Sequence, residues 1–193
     1  MKQSDMKTRE QWLNRGVEIL NAEVFAPHGK TANNVRVSVG WPSGRSGKNS
    51  AIGQCWPASL SEDQATEIFI APSQDDPVRV LDILAHEMVH AIVGCKHGHK
   101  APFKKLAVAI GLTGKMTATV AGEELAAHLK KIADKIGKYP HAKLNTNAKS
   151  KQTTRLLKIE CPDCDNVARQ SRTAYENYGL DCPVCRCPMI FKG

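Results

Sequence analysis

Hydrophobic and polar positions change period several times along the chain, and each change marks an element. In TREQWLNRGVEILNAE, residues 8–23, Trp12, Val17, Ile19 and Leu20 fall near one side of a helix, which predicts a helix laid over a core. VRVSVGW, 35–41, alternates Val35, Val37 and Val39 with polar positions, the period of a half-buried strand. PSGRSGKNSAIG reads as a long turn rich in glycine and serine, IGQCW returns as a second strand, and EIFIA, 67–71, makes a third, bounded by Pro72 and SQDDP.

From Pro77 the period becomes helical. Asp75 or Asp76 can cap this helix, Val80, Leu81, Leu84, Met88 and Ile92 supply its apolar positions, and Gly94 stops it. PFKKLAVAIG, 102–111, predicts a second helix, and AGEELAAHLKKIADKIG, 121–137, a third that is followed by YPHAKL. NTNAKSKQTTR is polar, basic and poor in apolar residues, which sets a domain boundary. The expected organisation is an α+β domain over 1–142, a basic linker over 143–154 and a small module over 155–193, with no internal repeat.

Composition sharpens this picture in two places. Aromatic residues make up only 5% of the chain, so the core must be mainly aliphatic. The net charge of +8 is concentrated: Lys135, Lys138, Lys143, Lys149, Lys151, Arg155 and Lys158 follow one another with no acid between them. Such a run suits a polyanion such as DNA, and it equally suits a solvated linker. No segment has the roughly 20 apolar residues that span a bilayer, and MKQSDMKTREQW has no signal-peptide pattern, so the expectation is a cytoplasmic protein with no membrane partner.

The central chemistry is in HEMVH. His86 and His90 are four apart, so on a helix their rings project from one face and can grip a single zinc. Glu87 lies beside His86 around the helix, where it can act on a metal-polarised water without ligating. This is the zincin pattern for peptide-bond hydrolysis. Two histidines and a glutamate flanked by Leu84, Ala85, Ala91 and Ile92 would be costly to bury without partners or a metal.

A catalytic zinc usually has three protein ligands, and the residues alone leave the third open among His97, His99, Glu123 or Glu124, and His128. A metzincin would need glycine at 93 and histidine at 96, where this chain has Val93 and Lys96. Met116 is therefore expected as a core or loop methionine.

Seven cysteines complete the inventory, five of them between Cys161 and Cys187. CPDC and CPVC place Cys161 and Cys164 against Cys182 and Cys185 across seventeen residues, the spacing of a zinc ribbon whose four thiolates close a structural site. Cys187, in CRC, is a possible substitute for Cys185. Leu156, Ile159, Tyr175, Tyr178, Leu180 and Ile190 would form its small core, so metal binding would supply folding energy. Arg169, Arg172 and Arg186 with Tyr175 and Tyr178 suit nucleic-acid contact, or are ordinary surface and packing residues. Cys55 and Cys95 stand alone in the sequence and are expected as small buried residues without a catalytic role.

EIFIAPSQDDPVRVLDILAHEMVHAIVGCKHGHKAPFKKLAVAIGL resembles the core of SprT-like metalloproteases, the family that includes Spartan-type DNA–protein crosslink proteases. The likeness covers roughly residues 8–140 and includes Gly53, Gln54 and Cys55; many members also carry a cysteine ribbon. It implies a zincin-like fold and, through a GHxxxF pattern matched by Gly98, His99 and Phe103, His99 as the third ligand, with His97 a loop neighbour. The loop between His90 and His99 is shorter than in Spartan-type proteins, and GHKAPF stands where a GHGPEF-like wording is usual.

The resulting expectation is a zinc metalloprotease acting on DNA-associated proteins, with one catalytic and one structural zinc. The alternative is a nucleic-acid-binding or transcription-associated zinc protein that keeps the fold without proteolysis.

Overall fold

The computed structural model describes residues 7–42, 51–145 and 156–191, and the chain divides into two units, Met1–Asn147 and Ala148–Gly193. Most of the expected basic linker, 146–154, lies outside the described residues.

The first unit is a mixed α+β fold. Helix α1, Arg9–Leu20, opens with a capping box in which the Thr8 hydroxyl accepts from the Gln11 N–H while the Gln11 side chain accepts from the Thr8 N–H. It buries Trp12, Leu13, Gly16, Ile19 and Leu20, while Val17 stays half-buried. The chain then widens into a π turn, Asn21–Phe25. The Asn21 side chain donates to the Ala32 carbonyl and accepts from the Ala32 N–H, fastening this turn to the returning chain.

Strands β1, Val35–Val39, β2, Gly53–Trp56, and β3, Thr66–Ile70, form one sheet in the order β1-β3-β2. β1 runs parallel to β3 and β2 antiparallel, with Val37 and Cys55 on either side of Ile68. Among the described residues β2 is therefore an edge strand.

Helix α2, Pro77–Val93, is capped by Asp76, whose carboxylate accepts from the Arg79 N–H at 2.7 Å. It is apolar nearly all round, and Val80 to His90 is buried except for the half-buried His86. Helix α3, Ala101–Ala109, buries Phe103, Leu106 and Ala107.

Between α3 and the last helix lies an antiparallel hairpin that the hydrophobic pattern did not predict: β4, Leu112–Lys115, and β5, Ala118–Ala121. Because Ala121 pairs with Leu112, helix α4 starts later than its pattern suggests, at Glu123, and runs to Ile136. α4 turns Leu125, Leu129, Ile132, Ala133 and Ile136 to the core. The Trp12 indole donates to the Gly137 carbonyl at 2.8 Å, and the buried Arg9 donates to the carbonyls of Pro72, Pro140 and Ala142, which fastens the chain after α4.

The second unit is a three-stranded antiparallel sheet in the order β7-β6-β8, with β6 at Leu157–Glu160, β7 at Val167–Gln170 and β8 at Ile190–Phe191. A short helix, α5, covers Arg172–Tyr178. Its core is small: Leu157, Ile159, Cys161, Cys182 and Met189. Leu156, Tyr178 and Ile190, expected inside, are exposed; for Leu156 the reason is the alternation along β6, which turns Leu157 and Ile159 inward instead. Among the described residues no helix is long and apolar enough to cross a membrane.

Candidate active site and metal centres

Helix α2 carries His86 and His90 on one face, and the chain must reverse to bring a third group to them. A 3-10 turn, Cys95–His97, does this between Gly94 and Gly98, whose φ angles of 93° and 49° lie where only glycine sits without strain. The reversal presents His99. Its Nε2 lies 3.2 Å from the Nε2 of His86 and 3.2 Å from that of His90. Phe103, fully buried, supports all three imidazoles, with ring centroids 4.4–4.9 Å away.

The fit to a metal can be tested on these separations. A tetrahedral zinc with Zn–N of about 2.0–2.1 Å requires its nitrogens to be about 3.3 Å apart, close to the spacing here. Burial, and then the neighbouring imidazoles, hold His86 down to about 3, and burial holds His90 at about 4 and lowers His99. Neutral rings whose nitrogens converge this closely present lone pairs to one another, an arrangement that a shared cation relieves. His86, His90 and His99 can therefore hold a metal ion.

Glu87 projects into the same cleft, a cavity of about 600 Å³ also lined by Gly53, Cys55, Arg79, Cys95 and Thr119. It is not part of the histidine group. The side chain is buried, and burial pushes its carboxyl up to about 8, with a smaller push from Cys95. β2 closes over it: a β-carbon at Gly53 would stand 2.5 Å from Glu87 Oε1 and 2.6 Å from Ile83 Cγ2. Glycine at 53 is what lets the strand approach this carboxylate.

The other sequence candidates lie elsewhere. His97 is half-buried in the turn and outside the donor cluster; Glu123 and Glu124 are exposed in the first turn of α4; His128 bonds Glu23 at 2.9 Å. Met116, between β4 and β5, packs on the core.

One contributor was missed in the sequence. Thr119, buried on β5, places its hydroxyl 2.7 Å from His86 Nδ1. Accepting from Nδ1–H, that hydroxyl would fix the tautomer that leaves Nε2 free to ligate. The weak clue was the β-branched alternation around Thr117, Thr119 and Val120. Thr119→Val should lower zinc affinity at the histidine site by about tenfold without unfolding the chain, as read by chelator competition.

In the second unit Cys161, Cys164, Cys182 and Cys185 bring their sulfurs within 4.8 Å of one another and can hold a second metal ion. Cys164 and Cys182 are 3.7 Å apart, matching the roughly 3.8 Å between thiolates on a tetrahedral zinc. The backbone N–H of Cys185 and then the Asn166 amide hold the Cys182 thiol at about 6, favouring thiolate. Cys187 lies 3.4 Å from Cys161 but outside that mutually close set. Of the aromatic residues, Tyr175 is tied into the fold, donating to the Met189 carbonyl and accepting from the Phe191 N–H, whereas Tyr178 is 84% exposed. Arg169 and Arg186 are exposed, and Arg172 pairs with Glu176 and lies over the Phe191 ring.

Comparison with protein-family models, curated proteins and solved structures finds no significant match to this chain.

Proposed function

We propose that the first unit is a zinc-dependent metalloprotease of SprT-like type, with a zincin-like arrangement, and that it acts on DNA-associated proteins. The observation that carries this reading is the convergence of His86, His90 and His99 in a cleft that also holds a buried glutamate outside that donor group. Zinc bound there supplies a Lewis acid for a carbonyl and lowers the pKa of water toward neutrality.

The remaining work falls to the chain. Glu87 takes the proton of the attacking water and returns it to the departing amine nitrogen. Thr119 holds His86 in its ligating tautomer, and Phe103 keeps the three rings in register. β2, an edge strand among the described residues, lines the cleft and offers backbone groups on which an extended polypeptide can lie. That favours an unfolded or extended segment as substrate.

The second unit, read as a zinc ribbon, would contact DNA through exposed Arg169, Arg186 and Tyr178. These same residues favour the second reading, a nucleic-acid-binding zinc protein without proteolysis. The two separate when the zinc-loaded chain is incubated with a DNA-binding protein, free or bound to DNA. Proteolysis predicts new amino termini in the DNA-bound sample, lost with chelator and reduced as salt rises. DNA binding with no new amino termini in either sample would overturn it in favour of the second reading.

A further inference from the structure

Cys55 and Cys95, separate in the sequence, are neighbours in the fold. Their sulfurs lie 3.3 Å apart, and Cys95 Sγ also lies 3.6 Å from the Cys55 carbonyl oxygen. Both are half-buried, both line the cleft beside Glu87, and neither belongs to a metal-donor cluster among the described residues. Cys55 sits on the edge strand β2, and Cys95 opens the turn that leads to His99. The hydrolysis proposed above uses neither.

We propose that Cys55 and Cys95 form a thiol-oxidation site, at which a hydroperoxide converts the pair into a disulfide that ties β2 to the turn after α2. The sulfurs need to close by only about an ångström to reach a bond of about 2.05 Å. With hydrogen peroxide, one sulfur attacks a peroxide oxygen, the O–O bond breaks, and the oxygen that leaves carries the thiol proton away as water. The sulfenic acid so formed is attacked by the second sulfur; its S–O bond breaks and the oxygen departs with the second thiol proton as another water. Each sulfur gives up one electron, and the peroxide takes both.

The arrangement selects this pair over the other thiols. Cys161, Cys164, Cys182 and Cys185 are grouped as metal donors, and bound zinc withholds their lone pairs from an oxidant. Cys187 has Cys161, itself one of those donors, as its near sulfur. Cys55 and Cys95 have each other and open onto a cavity large enough to admit peroxide.

The test uses the full chain loaded with zinc and does not depend on proteolytic activity. The protein is treated with an equivalent of hydrogen peroxide, remaining thiols are alkylated, and tryptic peptides are mapped; trypsin releases Cys55 within 49–79 and Cys95 within 80–96. The expected result is a joined peptide about 2 Da lighter than the sum of its parts, separated by dithiothreitol and absent from Cys55→Ser and from Cys95→Ser. Both cysteines alkylated while Cys187 is oxidised would overturn the proposal, as would Cys95 recovered as sulfinic acid with Cys55 alkylated. Because wild type alone gives the decisive reading, a poorly folding variant does not affect the outcome.

Discussion

His99→Ala should empty the first metal site while leaving the second occupied, taking zinc from two ions per chain to one. The expectation follows from how the site is built. His86 and His90 offer two nitrogens from one helix face, and His99 supplies the third at 3.2 Å from each. Loss of a residue that merely supports a ligand costs about 10–100-fold in metal affinity, so loss of a ligand itself should exceed about a hundredfold. Hydrolysis under the proposed reading should vanish with the metal. His97→Ala is the control: its ring is in the same turn but outside the donor cluster, so zinc content should stay at two. Zinc content by elemental analysis, alongside circular dichroism to verify folding, reads both variants. Loss through His97→Ala alone would reverse the assignment.

Cys182→Ser should unfold the second unit and spare the first. Cys182 is fully buried, and its sulfur accepts from the Asn166 amide. Among its described residues the unit buries only Leu157, Ile159 and Met189 besides two of its cysteines, too little to offset the conformational entropy of ordering its chain. Metal binding worth about 10–16 kcal/mol in comparable zinc modules must then supply the difference. Hydrogen exchange should show residues 157–160 and 167–170 losing protection, with 77–93 unchanged and one zinc remaining. Cys187→Ser, removing a sulfur beside the site but outside the mutually close four, should keep both ions and the protection. Retained protection in Cys182→Ser, with one zinc fewer, would show that the unit folds on its apolar contacts alone.

What the sequence revealed depended on distance along the chain. α2 was legible to within a residue because its signals are local: Asp76 caps it, Pro77 opens it and Gly94 ends it. The pair at His86 and His90 needs only helical periodicity. Spacing could not choose among the candidates for the third ligand, because the choice rests on a 3-10 turn between two glycines at positive φ. The hairpin of β4 and β5 was missed because its strands are four residues each and its turn, through Met116 and Thr117, carries none of the usual asparagine–glycine signals. Thr119 was missed with it, since its bond to His86 spans 33 positions. The same limit hid the approach of Cys55 to Cys95 across 40 positions, and their solitary places in the sequence gave no hint of it.

Under the proposed reading, Glu87 activates water for peptide hydrolysis at the three-histidine site. Glu87→Gln keeps the size and shape of a buried side chain that is not among the metal donors, so zinc should remain. The decisive measurement is the cleavage rate of a DNA-bound protein by wild type and Glu87→Gln at equal zinc content. The expected result is a fall of at least about a hundredfold with two zinc ions still bound. Cleavage by zinc-loaded Glu87→Gln at the wild-type rate would contradict it.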